Sequence, residues 1–96
     1  MPTQITLQSR IAVNEDVLFQ ELQGETVLLN LATGVYLGLD QIGNRIWQLL
    51  QEHGQLSEVV GAMVQEFEVT EERCSQDLLA LVEQLEAQGL IRIVPE

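Results

Sequence analysis

The residues with the chemistry for catalysis or metal binding are few in this chain. His53 is the only histidine and Cys74 the only cysteine among its 96 residues. A metal site or a nucleophile–base pair needs several such groups together, and the sequence does not supply them. His53 directly precedes Gly54 at a predicted helix end, where imidazoles commonly meet terminal carbonyls. Cys74 begins a helical apolar stripe, so we expect it to be a small core residue. Because the groups for a metal site or a nucleophile are missing, we expect no cofactor and no enzyme activity.

Carboxylates are abundant, but their spacing does not match a calcium-binding loop. Glu83 and Glu86 lie three residues apart on a predicted helix and therefore share a face. They are either ordinary surface charge or an acidic edge beside a binding groove, and the periodicity leaves both interpretations open. Ser57 and Thr70 serve better as helix N-caps than as nucleophiles, because no base is recognisable nearby.

The charge balance of the chain is strongly acidic. Fifteen Asp and Glu residues stand against four Arg and no Lys, which gives a formal net charge of −11. Nucleic acids and anionic membrane surfaces both require basic patches, and the Arg residues are scattered, so neither partner is expected. The acidity either steers a basic partner towards the protein or simply keeps a small protein soluble.

Length and composition predict one globular domain spanning residues 1–96. Hydrophobic residues make up 46% of the chain, which is more than a disordered acidic tail would carry. No apolar run approaches the length of a membrane span, and the first residues lack the features of a signal peptide. We therefore expect a cytoplasmic location.

Alternating apolar residues predict a three-stranded antiparallel meander over residues 16–39. Val27, Leu29 and Leu31 alternate with residues 26, 28 and 30, and the segment 35–39 alternates again. Gly34 supplies the turn between these two strands, and Gly24 the turn after a first strand at Val17–Leu22. Residues 5–13 also alternate, and their place in a sheet stays open.

Three helices and a short last segment are predicted after the meander. The first helix begins near Asp40 and ends at Gly54, the second takes Ser57 as its N-cap, and the third runs from Thr70 to just before Gly89. The segment 90–94 is a last strand or a packed tail. Strands followed by three short helices indicate an α+β winged helix-turn-helix. The predicted apolar stripes are Ile42, Ile46, Leu49 and Leu50, then Val60, Met63, Val64 and Phe67, then Leu78, Leu81 and Leu85.

The order of these motifs resembles the PqqD-like family of peptide-recognition domains over about residues 13–94. The segments that carry the resemblance are VLLNLATGVYLGLDQIGNRIWQLL, LSEVVGAMVQEFEV and DLLALVEQLEAQGLI. Members of this family bind the leader segment of a ribosomally synthesised precursor peptide and present it to partner enzymes. The resemblance therefore implies leader-peptide binding by three strands and three helices.

Two freestanding types within that family are similar to this chain. One serves pyrroloquinoline quinone maturation with a radical enzyme, and the other delivers lasso-peptide precursors to a leader protease and a cyclase. The Thr-Gly-x-Tyr block ending at Tyr36 and the Ile-Trp pair ending at Trp47 look more like the lasso type. The implied partners are the precursor leader and a leader protease or other maturation enzyme, and the choice of pathway stays open.

The resemblance also implies where the leader binds: as an added strand beside residues 35–39, in a groove against the third helix. About three backbone hydrogen bonds at roughly 1 kcal/mol each fall short of the roughly 8 kcal/mol of a micromolar complex. We therefore expect a hydrophobic pocket to set specificity, with Glu83 and Glu86 as partners for leader Lys or Arg. Leu79 and Val82 either flank the groove with these carboxylates or belong to a wide core stripe. The predicted peptide-binding residues are Val35, Tyr36, Leu37, Gly38, Leu39, Leu78, Leu79, Val82, Glu83 and Glu86.

Two other functions are compatible with the same pattern. A winged helix can bind DNA, but the missing Lys and the net charge of −11 argue against that use. An open edge strand can also pair with a second copy of itself, which would make the protein a homodimer or a structural oligomer.

Overall fold

A computed structural model describes residues 5–94 of the chain. Its elements in chain order are β1 (Arg10–Val13), β2 (Val17–Leu22), β3 (Glu25–Asn30), β4 (Tyr36–Leu39), α1 (Gln41–His53), α2 (Leu56–Glu66), α3 (Glu71–Ala87) and β5 (Ile91–Val94). β2, β3 and β4 form an antiparallel sheet in that order, and the three helices follow it. The predicted α+β winged helix-turn-helix arrangement is therefore confirmed.

The turns of the meander form where the sequence predicted them. Gln23 and Gly24 both have positive φ, at 55° and 82°, as a tight turn between twisted strands requires. Gly34 has a φ of 78°, and its N–H donates to the Asn30 carbonyl at 2.7 Å. These two local turns set the register of all three strands.

β1 and β5, the first and last strands of the described residues, form a second, two-stranded antiparallel sheet. Ile11 stands opposite Ile93 in this pair. Of the alternating segment at residues 5–13, only Arg10–Val13 is strand, and the last segment is a strand rather than a packed tail. The Ile11 N–H donates to the Gly54 carbonyl at 3.0 Å, so this small sheet is also tied to the end of α1.

Two of the three predicted helix starts are confirmed. Asp40 Oδ1 accepts from the Gly43 N–H at 2.8 Å, and Thr70 Oγ1 accepts from the Arg73 N–H at 3.2 Å. The prediction that Ser57 is the N-cap of the second helix is wrong. α2 begins at Leu56 after Gln55, because the backbone carbonyls of residues 9 and 7 accept the N–H groups of residues 56 and 57, at 3.2 and 2.9 Å. No helix of residues 5–94 has the length and apolar character needed to cross a bilayer.

The core fills the space between the helices and the inner face of the three-stranded sheet. Trp47 is its largest buried side chain and meets the ring of Phe19 edge to face, with centroids 5.5 Å apart. Cys74 is buried there, as predicted. Ile42 on α1 and Val64 on α2 are exposed, so their assignment to core stripes is wrong. Ile42 lies in the first turn of α1 and is not among the buried residues of that helix. The buried stripe of α2 is shifted towards its N-terminal end and consists of Leu56, Val59, Val60 and Met63.

β3 buries two polar residues, although apolar residues beside them in the sequence are exposed. Thr26, Leu28 and Asn30 face inward, whereas Val27 and Leu31 are exposed. The inward polar groups have partners across the fold: Thr26 Oγ1 donates to Asn44 Oδ1, and Asn30 Nδ2 donates to the Gly89 carbonyl. These bonds offset the cost of burying polar groups.

Candidate functional site

β4 is an edge strand of the three-stranded sheet. In the described part of the chain it pairs with β3 on one side and with no strand on the other. The Asn30 N–H donates to the Val35 carbonyl at 2.8 Å, and the register continues from that pair. Because residues of an antiparallel strand alternate in the direction of their backbone groups, Tyr36 and Gly38 point theirs to the open edge. Two N–H and two C=O groups are thus available to an added strand.

The C-terminal end of α3 is held beside the first residues of β4. Asn30 Nδ2 donates to the Gly89 carbonyl at 3.0 Å, and the backbone of Asn30 pairs with Val35. Gly89 has a φ of 74°, and a Cβ at this position would lie 2.9 Å from Asn30 Nδ2. Glycine therefore permits both the backbone conformation and the close approach of α3 to the sheet.

The N-terminal end of α3 meets α1 just beyond the end of β4. A cavity of about 190 Å³ opens there, and its walls are almost entirely apolar. Because one end of α3 lies at the start of β4 and the other just past its end, α3 runs back alongside the strand. The two elements border a groove with an apolar cavity at one end. The cavity is lined by Ile42, Ile46, Met63, Phe67, Val69, Cys74 and Asp77.

Helical phase decides which flank of α3 faces this groove. Asp77 lines the cavity, and Gln88 directly precedes the glycine that contacts Asn30. At 100° per residue, Leu81 and Gln84 share the flank of Asp77 and Gln88. Leu81 is half-buried and packs against the core. The side of α3 towards β4 therefore combines one apolar residue with polar ones.

The predicted residues of β4 lie on both sides of the open edge. Leu37 is half-buried and Leu39 is buried, so both belong to the inner side. Tyr36 and Gly38 face the outer side, and Val35 is exposed where the strand begins. The expectation that Val35, Leu37 and Leu39 alternate with Tyr36 agrees with this arrangement, while their contact with a peptide stays a prediction.

The predicted residues of α3 are mostly placed away from the groove. Val82 is fully buried, so of the two interpretations left open for it the core stripe applies, whereas Leu81 is only half-buried. Leu78 is buried beneath the surface as well. Leu79, Glu83 and Glu86 share the flank of α3 opposite to Asp77, by the same helical phase. Peptide binding by these residues stays a prediction without support from their position.

Sequence reasoning missed the residues that surround the cavity. Ile42 and Phe67 were expected in core stripes, since apolar residues at helical spacing normally are core residues. Val69 and Asp77 had no signal of their own, because they come together only when the loop after α2 folds against α1. An apolar residue in the first turn of α1, directly after an edge strand, is the signal that could have indicated the cavity.

The one thiol in the cavity wall, that of Cys74, is uncharged. Burial, together with the nearby charge of Asp77, raises the pKa of the Cys74 thiol, which therefore stays protonated at neutral pH. Asp77 Oδ2 lies 3.2 Å from Arg73 Nε at the exposed rim. Elsewhere, His53 Nδ1 lies 3.2 Å from Glu58 Oε2 at the end of α1. Among residues 5–94, no three His, Cys, Asp or Glu side chains are grouped closely enough to hold a metal ion.

Comparisons with known proteins place this fold among peptide-binding structures. The solved structure described as "TbiB1 in Complex with the TbiA(beta) Leader Peptide" superposes with a TM-score of 0.81, at 33% identity over 88% of this chain and 98% of that chain. "Lasso peptide synthetase B1 complexed with the leader peptide" superposes with a TM-score of 0.78, at 23% identity over 90% of this chain and 99% of that chain. The second likeness is one of fold alone. No curated protein matches the sequence.

A family model accounts for most of the chain. The model described as "Coenzyme PQQ synthesis protein D (PqqD)" matches residues 25–91, from the first residue of β3 to the first residue of β5. This range includes β4 and α3, which border the groove, and α1, which contributes to the cavity at its end. The chain belongs to the PqqD family.

Proposed function

We propose that this protein binds the leader segment of a ribosomally synthesised precursor peptide and presents it to the maturation enzymes of a lasso-peptide pathway. The observation that carries the proposal is the open edge of β4 beside α3, with an apolar cavity where the two elements meet α1. The similarity at 33% identity to a structure described as a leader-peptide complex supports it. The family description names coenzyme PQQ synthesis instead, which keeps delivery to a radical enzyme as the second candidate.

Backbone pairing supplies only part of the affinity. A leader strand beside β4 can bond to the N–H and C=O groups of Tyr36 and Gly38, at about 1 kcal/mol for each bond. Four such bonds give about 4 kcal/mol, whereas a micromolar complex needs about 8 kcal/mol, and ordering a flexible leader opposes binding. Side chains of the leader must therefore supply the rest of the affinity and most of the selectivity.

The apolar cavity is the place for one such side chain. Ile42 is accessible at its mouth, and the neutral Cys74 thiol forms part of its wall. Burying one large apolar leader residue there adds about 1.5–3 kcal/mol. Asp77 at the rim can attract a leader Lys or Arg, although Arg73 already competes for it. The leader we propose thus carries a large apolar residue with a Lys or Arg nearby in its sequence.

The same arrangement supports a recognition protein rather than an enzyme. A peptide paired with β4 would lie at the surface, with its further residues free to reach a separate leader protease or cyclase. We propose a cytoplasmic location, where precursor peptides are synthesised. A homodimer through β4 would occupy the same backbone groups and would compete with the leader.

The first experiment is a fluorescence anisotropy titration of fluorescein-labelled leader peptides. The probes are the TbiA(beta) leader and the leader of the precursor that this protein serves. Gly38→Pro removes an edge N–H without touching those that pair with β3, and we expect at least tenfold weaker binding. Glu21→Pro, on the opposite edge of the same sheet, is the matched control and should leave the affinity within about twofold.

A second pair of variants tests the cavity. Ile42→Ser should weaken leader binding about tenfold, because an apolar contact is lost at the cavity mouth. Val64→Ser changes another exposed apolar residue, on α2, and should leave binding unchanged. Circular dichroism of each variant checks folding. The proposal fails if neither leader binds saturably, or if Gly38→Pro and Glu21→Pro weaken binding equally.

A further inference from the structure

β2 is a second open edge of the three-stranded sheet, opposite to β4. In residues 5–94 it pairs with β3 on one side and with no strand on the other. Every residue of β2 after Val17 is exposed. Three of them are large apolar side chains, Leu18, Phe19 and Leu22, with exposed fractions between 48% and 58%. This exposure leaves room for another chain along the edge.

The turn between β2 and β3 decides which backbone groups reach the open edge. Leu22 and Glu25 flank the two-residue turn and stand opposite each other, so their backbone groups bond across it. Because the bonded pairs alternate along an antiparallel ladder, Gln20 also bonds to β3. Phe19 and Glu21 direct their groups away from β3. Two N–H and two C=O groups are thus available on β2.

The sequence of β2 lacks the features that usually keep edge strands apart. Such strands are commonly protected by Lys, by Pro or by a bulge. Residues 17–22 contain no Lys or Pro, and Glu21 is their one charged residue. The pairing with β3 continues through all six residues without a bulge. Glu21 Oε2 accepts from Gln48 Nε2 at 2.9 Å, so its carboxylate is held on the side of α1.

A second copy of β2 fits this edge in an antiparallel register centred on Gln20. With Gln20 opposite its counterpart, Phe19 stands opposite Glu21, and Leu18 stands opposite Leu22. The two strands then form four backbone hydrogen bonds, which use every available N–H and C=O group of Phe19 and Glu21. No like charges stand directly opposite each other, and the central pair consists of two amides that can bond each other.

The neighbouring registers are less favourable. A shift by two residues in one direction places Glu21 directly opposite Glu21 of the other copy, which is destabilising. A shift in the other direction pairs Glu21 with Val17. The Val17 N–H already donates to the Asn14 carbonyl at 3.2 Å, so it is not free to bond to a second strand. The available backbone groups therefore select the register centred on Gln20.

We propose that β2 is a homodimer interface, at which two copies join their sheets into one antiparallel sheet of six strands. Four backbone bonds and a few side-chain contacts make a weak interface, so the protein is a monomer when dilute and a dimer when concentrated. Both β4 strands lie at the far ends of the joined sheet. The dimer would therefore carry two leaders at once, a consequence that rests on the proposed function, whereas the dimer itself does not.

Salt dependence distinguishes this interface from one held by opposite charges. Each copy has a formal net charge of −11, so the two copies repel each other at long range. Added salt screens this repulsion and should strengthen the dimer. An interface made of ion pairs would weaken instead.

Sedimentation velocity of the full chain over a range of concentrations measures the dimer. Glu21→Pro removes an available N–H from each strand and should raise the dissociation constant at least tenfold. Gly38→Pro makes the same change on the edge of β4 and is the matched control, so it should leave the constant within about twofold. Circular dichroism of each variant checks folding.

A charge exchange at Gln20 tests the register itself. Gln20 is exposed, so its variants should fold normally. Gln20→Glu and Gln20→Lys each place like charges opposite each other and should each weaken the dimer at least tenfold. A one-to-one mixture of the two variants should restore it to within about threefold, because Glu then meets Lys. Gln51→Glu and Gln51→Lys change the net charge equally on exposed α1 and should leave the dimer within about twofold.

The possible results separate the dimer from the proposed function. A monomer at every concentration, or a mixture of the Gln20 variants that does not associate, would overturn the β2 interface. Dissociation by Gly38→Pro but not by Glu21→Pro would also refute it and assign the contact to β4. A dimer that forms as expected while no leader binds in the anisotropy titration would refute the proposed function alone.

Discussion

The inner face of the three-stranded sheet packs on α1 and holds two polar residues, whereas the outer face is open and holds mostly apolar ones. Inside, Thr26 and Asn30 are almost fully buried, at 1% and 5% exposure. Outside, Leu18 and Leu22 are more than half exposed. The inner polar groups are stable because each has a hydrogen-bond partner from a distant element. The difference teaches that the position of α1 and α3, more than side-chain polarity, decides which face of this sheet is buried.

The largest effect that would test this comparison is expected from Leu28, which is fully buried on the inner face. Leu28→Ala removes a packed side chain and leaves a cavity, so we expect the free energy of unfolding to fall by about 2–5 kcal/mol. Leu18→Ala, on the outer face, should change it by no more than about 0.5 kcal/mol. Urea denaturation measures both. Equal losses in the two variants would mean that the outer face is also buried in solution.

A smaller effect is expected when the inner hydroxyl is removed. Thr26→Val keeps the shape but leaves Asn44 Oδ1 without the hydroxyl that donates to it in the interior. We expect a loss of about 1–3 kcal/mol in the free energy of unfolding. The converse change on the outer face, Val27→Thr, should stay within about 0.5 kcal/mol. If Thr26→Val proved neutral, the buried hydrogen bond would not be what holds the polar residue inside.

The smallest effect is expected at an ion pair that belongs to neither face. Arg45 on α1 donates twice to Glu66 at the end of α2, with both distances at 2.7 Å. The hydrogen bond from Arg45 lowers the pKa of Glu66 from its ordinary value of 4.5. Its contribution to stability is thus complete above pH 4.5 and is lost as the pH falls through the lower folded pKa.

Thermal melting between pH 3 and pH 6 would reveal this contribution. Glu66→Gln should lower the melting temperature slightly at pH 6 and make no difference at the acidic end of the range, because the pair is exposed and largely screened. Glu68→Gln removes a neighbouring carboxylate outside the pair and serves as the control. A larger drop in the melting temperature of Glu66→Gln at pH 3 than at pH 6 would contradict this pH dependence.

Part of the candidate site could be predicted from the sequence. The strand at residues 35–39 follows from the alternation around Gly34, and the peptide-binding family follows from the order of motifs. The groove flank of α3 could not be predicted, because helical phase gives two flanks of similar polarity. Asp77 and Leu81 are on one flank, and Leu79 and Glu83 on the other. Only the contacts of Asn30 with Gly89, and of Asp77 with the cavity, distinguish them.

Local signals in the sequence determined the turns, two of the three helix starts and the end of α1. Asp40, Thr70 and Gly54 act on backbone groups within four residues, so their effect does not depend on the rest of the fold. Tertiary structure decided the pairing of β1 with β5, the start of α2 and the buried face of β3. Each of these depends on a partner that is distant in sequence: Ile93 for Ile11, the carbonyls of residues 7 and 9 for α2, and Asn44 for Thr26. Such partners are chosen by whole elements packing together, and residue type alone does not encode that choice.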